Sequence, residues 1–118
     1  MSRLTGARVL LVEDEAVIAF ALEYMLDDLG CVVVGPAYQV ASACSLAEDE
    51  LIDVAILDVN LNEARSYPVA DILKRRGIPF LFASGYGEGG IDWPGEVQII
   101  AKPYRKDEIE RALSALLT

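Results

Sequence analysis

The chain has 118 residues, 53% of them hydrophobic, a formal net charge of −9 and no histidine. That length accommodates one core and not two, and that apolar content excludes a disordered chain. The negative balance argues against nucleic acid or an anionic membrane as a direct partner, and the lack of histidine excludes imidazole catalysis and imidazole metal ligation.

No apolar run approaches the length of a membrane span, and the N-terminus shows no signal-peptide pattern. A single domain over residues 1–118, located in the cytoplasm, is the expectation. Cys31 and Cys44 fit neither a metal-ligand nor a redox spacing, so both read as reduced core thiols.

In chain order, residues 8–12 read as a first strand buried on both faces. Asp14-Glu15 then open a helix, because Ile18, Leu22, Met25 and Leu29 recur at helical spacing, with Gly30 as its left-handed stop. Cys31 to Val34 form a second strand, closed by Gly35-Pro36. Val40, Ala43, Cys44 and Ala47 mark a second helix, ending at the acidic turn Glu48-Asp49-Glu50. The central strand, 54–58, is an apolar run that ends in Asp58.

Asn60 to Pro68 reads as a polar loop, with Pro68 suited to the first turn of a third helix carrying Val69, Ile72 and Leu73. Gly77 and Pro79 end that helix, and a fourth strand covers 80–83. The fifth strand is 97–101. Ile109, Ala112, Leu113, Leu116 and Leu117 then mark an amphipathic last helix. Strands alternating with helices through short connections predict a parallel sheet with helices on both faces.

In such a sheet the ligand crevice lies at the C-terminal strand ends. Glu13-Asp14 follow the first strand, Asp58 ends the third, Ser84 follows the fourth and Lys102-Pro103 the fifth. Three acids, a hydroxyl and a lysine on one rim suit metal-assisted phosphoryl chemistry. Asp58 is the candidate nucleophile, with a fixed direction and some exposure expected from its strand-end position. Glu13 and Asp14 suit Mg²⁺, a hard cation that prefers carboxylate oxygen, and the Asn60 carbonyl can supply another oxygen. Ser84 and Lys102 are candidates to meet the phosphoryl oxygens. Each residue alone has an ordinary reading: a helix start for the Glu-Asp pair, a turn acid for Asp58, a loop hydroxyl for Ser84, a solvated charge for Lys102.

In that order and spacing, these residues resemble the receiver domain of bacterial two-component response regulators over essentially the whole chain. The resemblance implies a flavodoxin-like doubly wound α/β fold with five parallel strands in the order 2-1-3-4-5. It implies that Asp58 accepts a phosphoryl group from a histidine kinase in a Mg²⁺-dependent phosphorelay. Glu13, Asp14, Asp58 and the Asn60 carbonyl would hold the ion, while Ser84 and Lys102 relay the phosphoryl group's arrival. Val59-Asn60-Leu61-Asn62 replaces the family's usual run after the phosphorylated Asp, and Ile99 stands where an aromatic is common. Phe82-Ala83-Ser84-Gly85-Tyr86 resembles a subgroup with Phe-Ala-Thr-Gly and a following aromatic, whose members pair with HWE-type histidine kinases. There Tyr86, with Ser84, takes the switch role, or else it is an exposed loop residue.

The expected function is a stand-alone signalling switch acting through protein contact or competition for phosphoryl groups, not an enzyme with an external substrate. Two other classes stay open. One is a haloacid-dehalogenase-like phosphohydrolase, which places its nucleophile on the first strand and needs an acid where Asn60 stands. The other is a receiver-like adaptor that is never phosphorylated.

The segment 85–96 departs most from the family. It holds Gly85, Gly87, Gly89, Gly90 and Gly95 together with Pro94. Each glycine costs a helix roughly 1 kcal/mol relative to alanine. A mobile loop or a single turn is therefore expected in place of the fourth helix, with Trp93 docking on the apolar surface that helix would cover.

Overall fold

The computed structural model describes residues 4–62, 64–85, 91–95 and 97–117. Its elements are β1 (Arg8–Val12), α1 (Ala16–Asp28), β2 (Val32–Ala37), α2 (Val40–Asp49), β3 (Val54–Asp58), β4 (Asn60–Leu61), β5 (Ala64–Arg65), α3 (Tyr67–Arg75), β6 (Phe80–Ser84), β7 (Gln98–Ala101) and α4 (Lys106–Leu116). The five longer strands form one parallel sheet in the order β2-β1-β3-β6-β7, the expected 2-1-3-4-5 once the short β4–β5 pair is set aside. Among the described residues no helix is long and apolar enough to cross a membrane.

Strand alternation divides the core into two layers. Val9, Leu11, Val54, Ile56, Leu81 and Ile100 face one layer, completed by Leu22 and Leu26 of α1 and Ile109 and Leu113 of α4. Leu10, Val12, Ala55, Leu57 and Phe82 face the other, completed by Ala43 and Ala47 of α2 and Val69 and Leu73 of α3. Every residue of β3 is buried, as expected for a strand covered on both faces. Carried one step past the apolar runs, the same period of two turns Glu13, Asp58 and Lys102 toward the α1–α4 layer. The sequence pattern of the strands thus sets which charges meet.

Gly30 ends α1 at φ 86°, the left-handed stop expected of it. The second strand is longer than the sequence suggests, because Gly35-Pro36 lies inside β2. Gly35 takes φ 103°, and a Cβ there would stand 2.9 Å from the Ala37 nitrogen and 3.0 Å from the Leu11 carbonyl. A glycine therefore carries the strand through an irregularity in its pairing with β1, where the register shifts between Leu10 and Val12. The stretch 60–68 is not a plain loop either. β4 and β5 pair antiparallel, Asn60 opposite Arg65 and Leu61 opposite Ala64, with Asn62 in the left-handed region at φ 49°.

Between β6 and β7, none of the described residues is helical, in keeping with a fourth helix shortened or absent. Trp93 is half-buried against the α2–α3 layer, its ring 5.5 Å from Phe80, 5.8 Å from Phe82 and 6.0 Å from Tyr67. The Asp92 N–H donates to the Tyr67 hydroxyl at 2.7 Å, and the Lys74 ammonium lies 5.9 Å from the Trp93 ring centre. Trp93 thus occupies the apolar surface as expected. Tyr86 lies outside the described residues.

Candidate functional site

The ends of β1, β3 and β7 bring Glu13, Asp14, Asp58 and Lys102 together. One carboxylate oxygen from each of the three acids lies within 4.8 Å of the others. The Lys102 ammonium donates to Asp58 Oδ2 at 2.7 Å and stands 3.1 Å from Glu13 Oε1. Main-chain donors hold three of the other four oxygens: Glu15 N–H to Glu13 Oε2 at 3.1 Å, Asn60 N–H to Asp58 Oδ1 at 3.3 Å, and Asn62 N–H to Asp14 Oδ2 at 3.0 Å. With every group ionised, three carboxylates and one ammonium sum to −2.

Asp58 is less exposed than its strand-end position suggests. It is buried, at 1% exposure, because β1 and β6 flank it and Lys102 covers Oδ2. Burial pushes its pKa up to about 8; Lys102 opposes this, and the neighbouring Glu13 charge adds to it. Burial also pulls Lys102 down, but Asp58 and Glu13 more than offset that and leave it above the ordinary lysine value. Burial raises Asp14, yet the Asn62 N–H and its other hydrogen bonds, led by Glu13 and Asp58, hold it below the usual carboxylate value.

The β4–β5 hairpin explains what Asn60 can offer. Ser66 N–H donates to the Val59 carbonyl at 3.0 Å, so Val59 and Ser66 are a hydrogen-bonded pair. In an antiparallel ladder such pairs alternate, which makes Asn60–Arg65 a non-bonded pair. The Asn60 N–H and carbonyl therefore turn away from β5, and the N–H is the one that reaches Asp58. The hairpin also delivers the Asn62 N–H to Asp14.

Ser84 ends β6, half-buried, one residue beyond the register partner of Asp58. Its carbonyl accepts the Lys102 N–H at 3.0 Å, which ties the two strand ends together. Among the described residues no hydrogen bond joins its hydroxyl to the acids. Ile99 sits on β7, exposed. Two participants were not anticipated from the sequence. The Tyr104 hydroxyl approaches Glu13 Oε1 at 3.4 Å, and Asn62 supplies the donor to Asp14. The aromatic two residues past Lys102 was the one available signal for Tyr104; nothing local marked Asn62.

The residues present fit a hard divalent cation. The donors are carboxylate oxygens already gathered within a few ångströms, and the −2 excess of their fully ionised form balances such an ion; without one, burial and the Glu13 charge hold a proton on Asp58.

Comparison with known proteins gives a consistent picture. The response regulator receiver domain family matches residues 9–114. SdrG from Sphingomonas melonis Fr1 is 41% identical with both chains fully covered, and its solution structure superposes with a TM-score of 0.85. The BeF3-activated conformation of SdrG gives 0.73. The receiver domain of sensor histidine kinase PA1611 from Pseudomonas aeruginosa PAO1 is 25% identical, with 96% of this chain and 98% of that one covered and a TM-score of 0.84; it coordinates magnesium in its active-site cleft. The phyllosphere-induced regulator PhyR of Methylorubrum extorquens is 30% identical over 117 residues, which are 95% of this chain and 44% of that protein. The chain thus spans less than half the length of the curated relatives it matches.

Proposed function

Since the chain belongs to the response regulator receiver domain family, we propose that it is switched by Mg²⁺-dependent phosphorylation of Asp58, with a histidine kinase as donor. The observation that carries this reading is the Glu13–Asp14–Asp58 cluster closed by Lys102 at 2.7 Å. Glu13, Asp14, Asp58 and the Asn60 carbonyl would hold the ion, which when bound neutralises charge on the phosphoryl oxygens.

A carboxylate oxygen of Asp58 forms the new O–P bond as the P–N bond to the donor histidine breaks, and the imidazole leaves with the electron pair. Asn60 N–H and Lys102 fix the Asp58 carboxylate in one orientation before the donor arrives. Lys102 then shifts its charge to the incoming phosphoryl oxygens. The Ser84 hydroxyl, on the next strand end, donates to another of them, with Tyr86 following in the switch. The kinase is of the HWE type, on the strength of the Phe82 to Tyr86 motif.

The effect leaves by protein contact, as in a signalling protein and not a turnover enzyme. PhyR from Bartonella quintana, a structural relative at 26% identity, is named as an anti-anti-sigma factor, which is output of that kind. The segment around Trp93 is the reporting element, since β6 carries both Ser84 and the aromatic residues on which Trp93 rests.

Incubation with acetyl phosphate and Mg²⁺, followed by intact-mass analysis, tests the chemistry. One base-labile phosphoryl group is expected, absent in chelator and absent in Asp58→Asn. Labelling without metal, or undiminished labelling of Asp58→Asn, would falsify the proposal.

A further inference from the structure

We propose that the groove between α1 and β2 is a docking site for a partner protein's amphipathic helix, one with an apolar stripe flanked by lysine and arginine. The groove has a volume of about 500 Å³ and is lined by Phe20, Glu23, Tyr24, Asp27, Val32 and Val33. Phe20 is 73% exposed and Tyr24 72%, one helical turn apart, with Val32 of the edge strand exposed beside them. Two aromatic side chains left in water at that spacing match the i, i+4 side chains of a helix laid against them.

Charge selects the occupant. From residue 9 to residue 64 the chain has no lysine or arginine but twelve acids, so this stretch carries −12, and the remaining residues, with ten basic and seven acidic side chains, carry +3. Of that stretch, α1 and β2 line the groove and put Glu23 and Asp27 on its wall, while α2 packs on the opposite face of the sheet. Asp28 is neutralised by Lys106, whereas neither Glu23 nor Asp27 has a basic partner among the described residues. Such a surface attracts a cationic protein and repels nucleic acid and anionic lipid. An added strand is disfavoured as the occupant, because Pro36 removes a donor from the β2 edge.

The groove is separate from the phosphorylation rim. Val17, Ile18, Ala21 and Met25 line a different hollow with Lys102, Pro103 and Tyr104. At about 100° per residue, that flank of α1 and the Phe20–Tyr24 flank are centred roughly 95° apart, with Val17 between them and the buried Ala19, Leu22 and Leu26 on the third side.

The test is titration of the isotope-labelled protein with a designed helical peptide, leucine at i, i+3, i+4 and i+7 and lysine or arginine elsewhere, read by amide chemical shifts. One control peptide replaces the basic residues by glutamate; another keeps them and replaces leucine by serine. Shifts are expected around Phe20 to Asp27 and Cys31 to Val33, with neither control binding comparably. Phe20→Ser, and Glu23→Lys with Asp27→Lys, should each weaken binding by about tenfold or more while leaving the Mg²⁺ response intact. Shifts elsewhere, no binding, equal binding of the serine control, or unaffected variants would each overturn the proposal.

Discussion

At the strand ends five of the six acid oxygens have an assigned donor, whereas the described part of the connection from β6 to β7, around Trp93, is fastened largely by rings. Glu13, Asp14 and Asp58 are held by Lys102 and three main-chain N–H groups at 2.7–3.3 Å. Trp93 is held by three aromatic neighbours at 5.5–6.0 Å, with one hydrogen bond beside it from Asp92 to Tyr67. Directional bonds in a buried site fix atoms to one geometry. Ring packing admits several arrangements of similar energy. A groove of about 930 Å³ beside Trp93, lined also by Phe80, Ile91 and Ile99, gives the rings space to rearrange. One region is suited to react and the other to respond.

The largest expected effect comes from breaking the rim's charge balance. Lys102→Ala leaves Glu13 and Asp58 facing each other without a cation and should destabilise the metal-free protein by roughly 3 kcal/mol at pH 8. The loss should shrink toward pH 5, where Asp58 can take a proton. Denaturant unfolding at the two pH values checks it; an equal loss at both would mean that charge is not the cause.

Asp58→Asn sharpens the same point with the opposite sign. The unfolded carboxyl releases its proton near 3.8, but the folded one retains it up to about 8. Native stability contributed by this group therefore falls as pH rises through that window. Removing the charge should raise metal-free stability by roughly 2 kcal/mol at pH 8 and by less at pH 5. Unfolding in chelator measures this, and a midpoint at or below wild type at pH 8 would contradict the crowding of the acids.

The rim was legible in the sequence because a buried parallel strand announces itself as an apolar run, and its last residue is by geometry at the crevice. Asp58, Glu13-Asp14 and Lys102 needed nothing more. What the sequence hid depends on distant or very short elements. A two-residue strand pair has no periodicity, so the β4–β5 hairpin and the Asn62 donor were invisible. The burial of Asp58 depends on flanking strands and on a lysine 44 residues away. Gly35-Pro36 looked like a strand end because the bulge that accommodates it is defined by β1. Conversely, the glycines between Ser84 and Val97 argued against an ordinary fourth helix, and the described residues 91–95 are not helical, while the Tyr67 side of the Trp93 cluster had no local signal.

Trp93→Ala addresses the other region and should have the smallest effect of the three on stability, about 1–2 kcal/mol for a half-buried aromatic. The Mg²⁺-induced rise in unfolding midpoint should be unchanged, because no rim donor lies on that segment. A variant that also loses the Mg²⁺ response would show that the two regions are not separable.

Trp93 is the single tryptophan in the chain, so its emission reports the responding region alone. Spectra should be compared for unphosphorylated protein with Mg²⁺ and for protein shown by mass to be fully phosphorylated. A shift in emission on phosphorylation, absent when Asp58→Asn receives the same treatment, is the expected result. Superimposable spectra for the two fully characterised states would contradict the assignment of this segment as the reporter of Asp58.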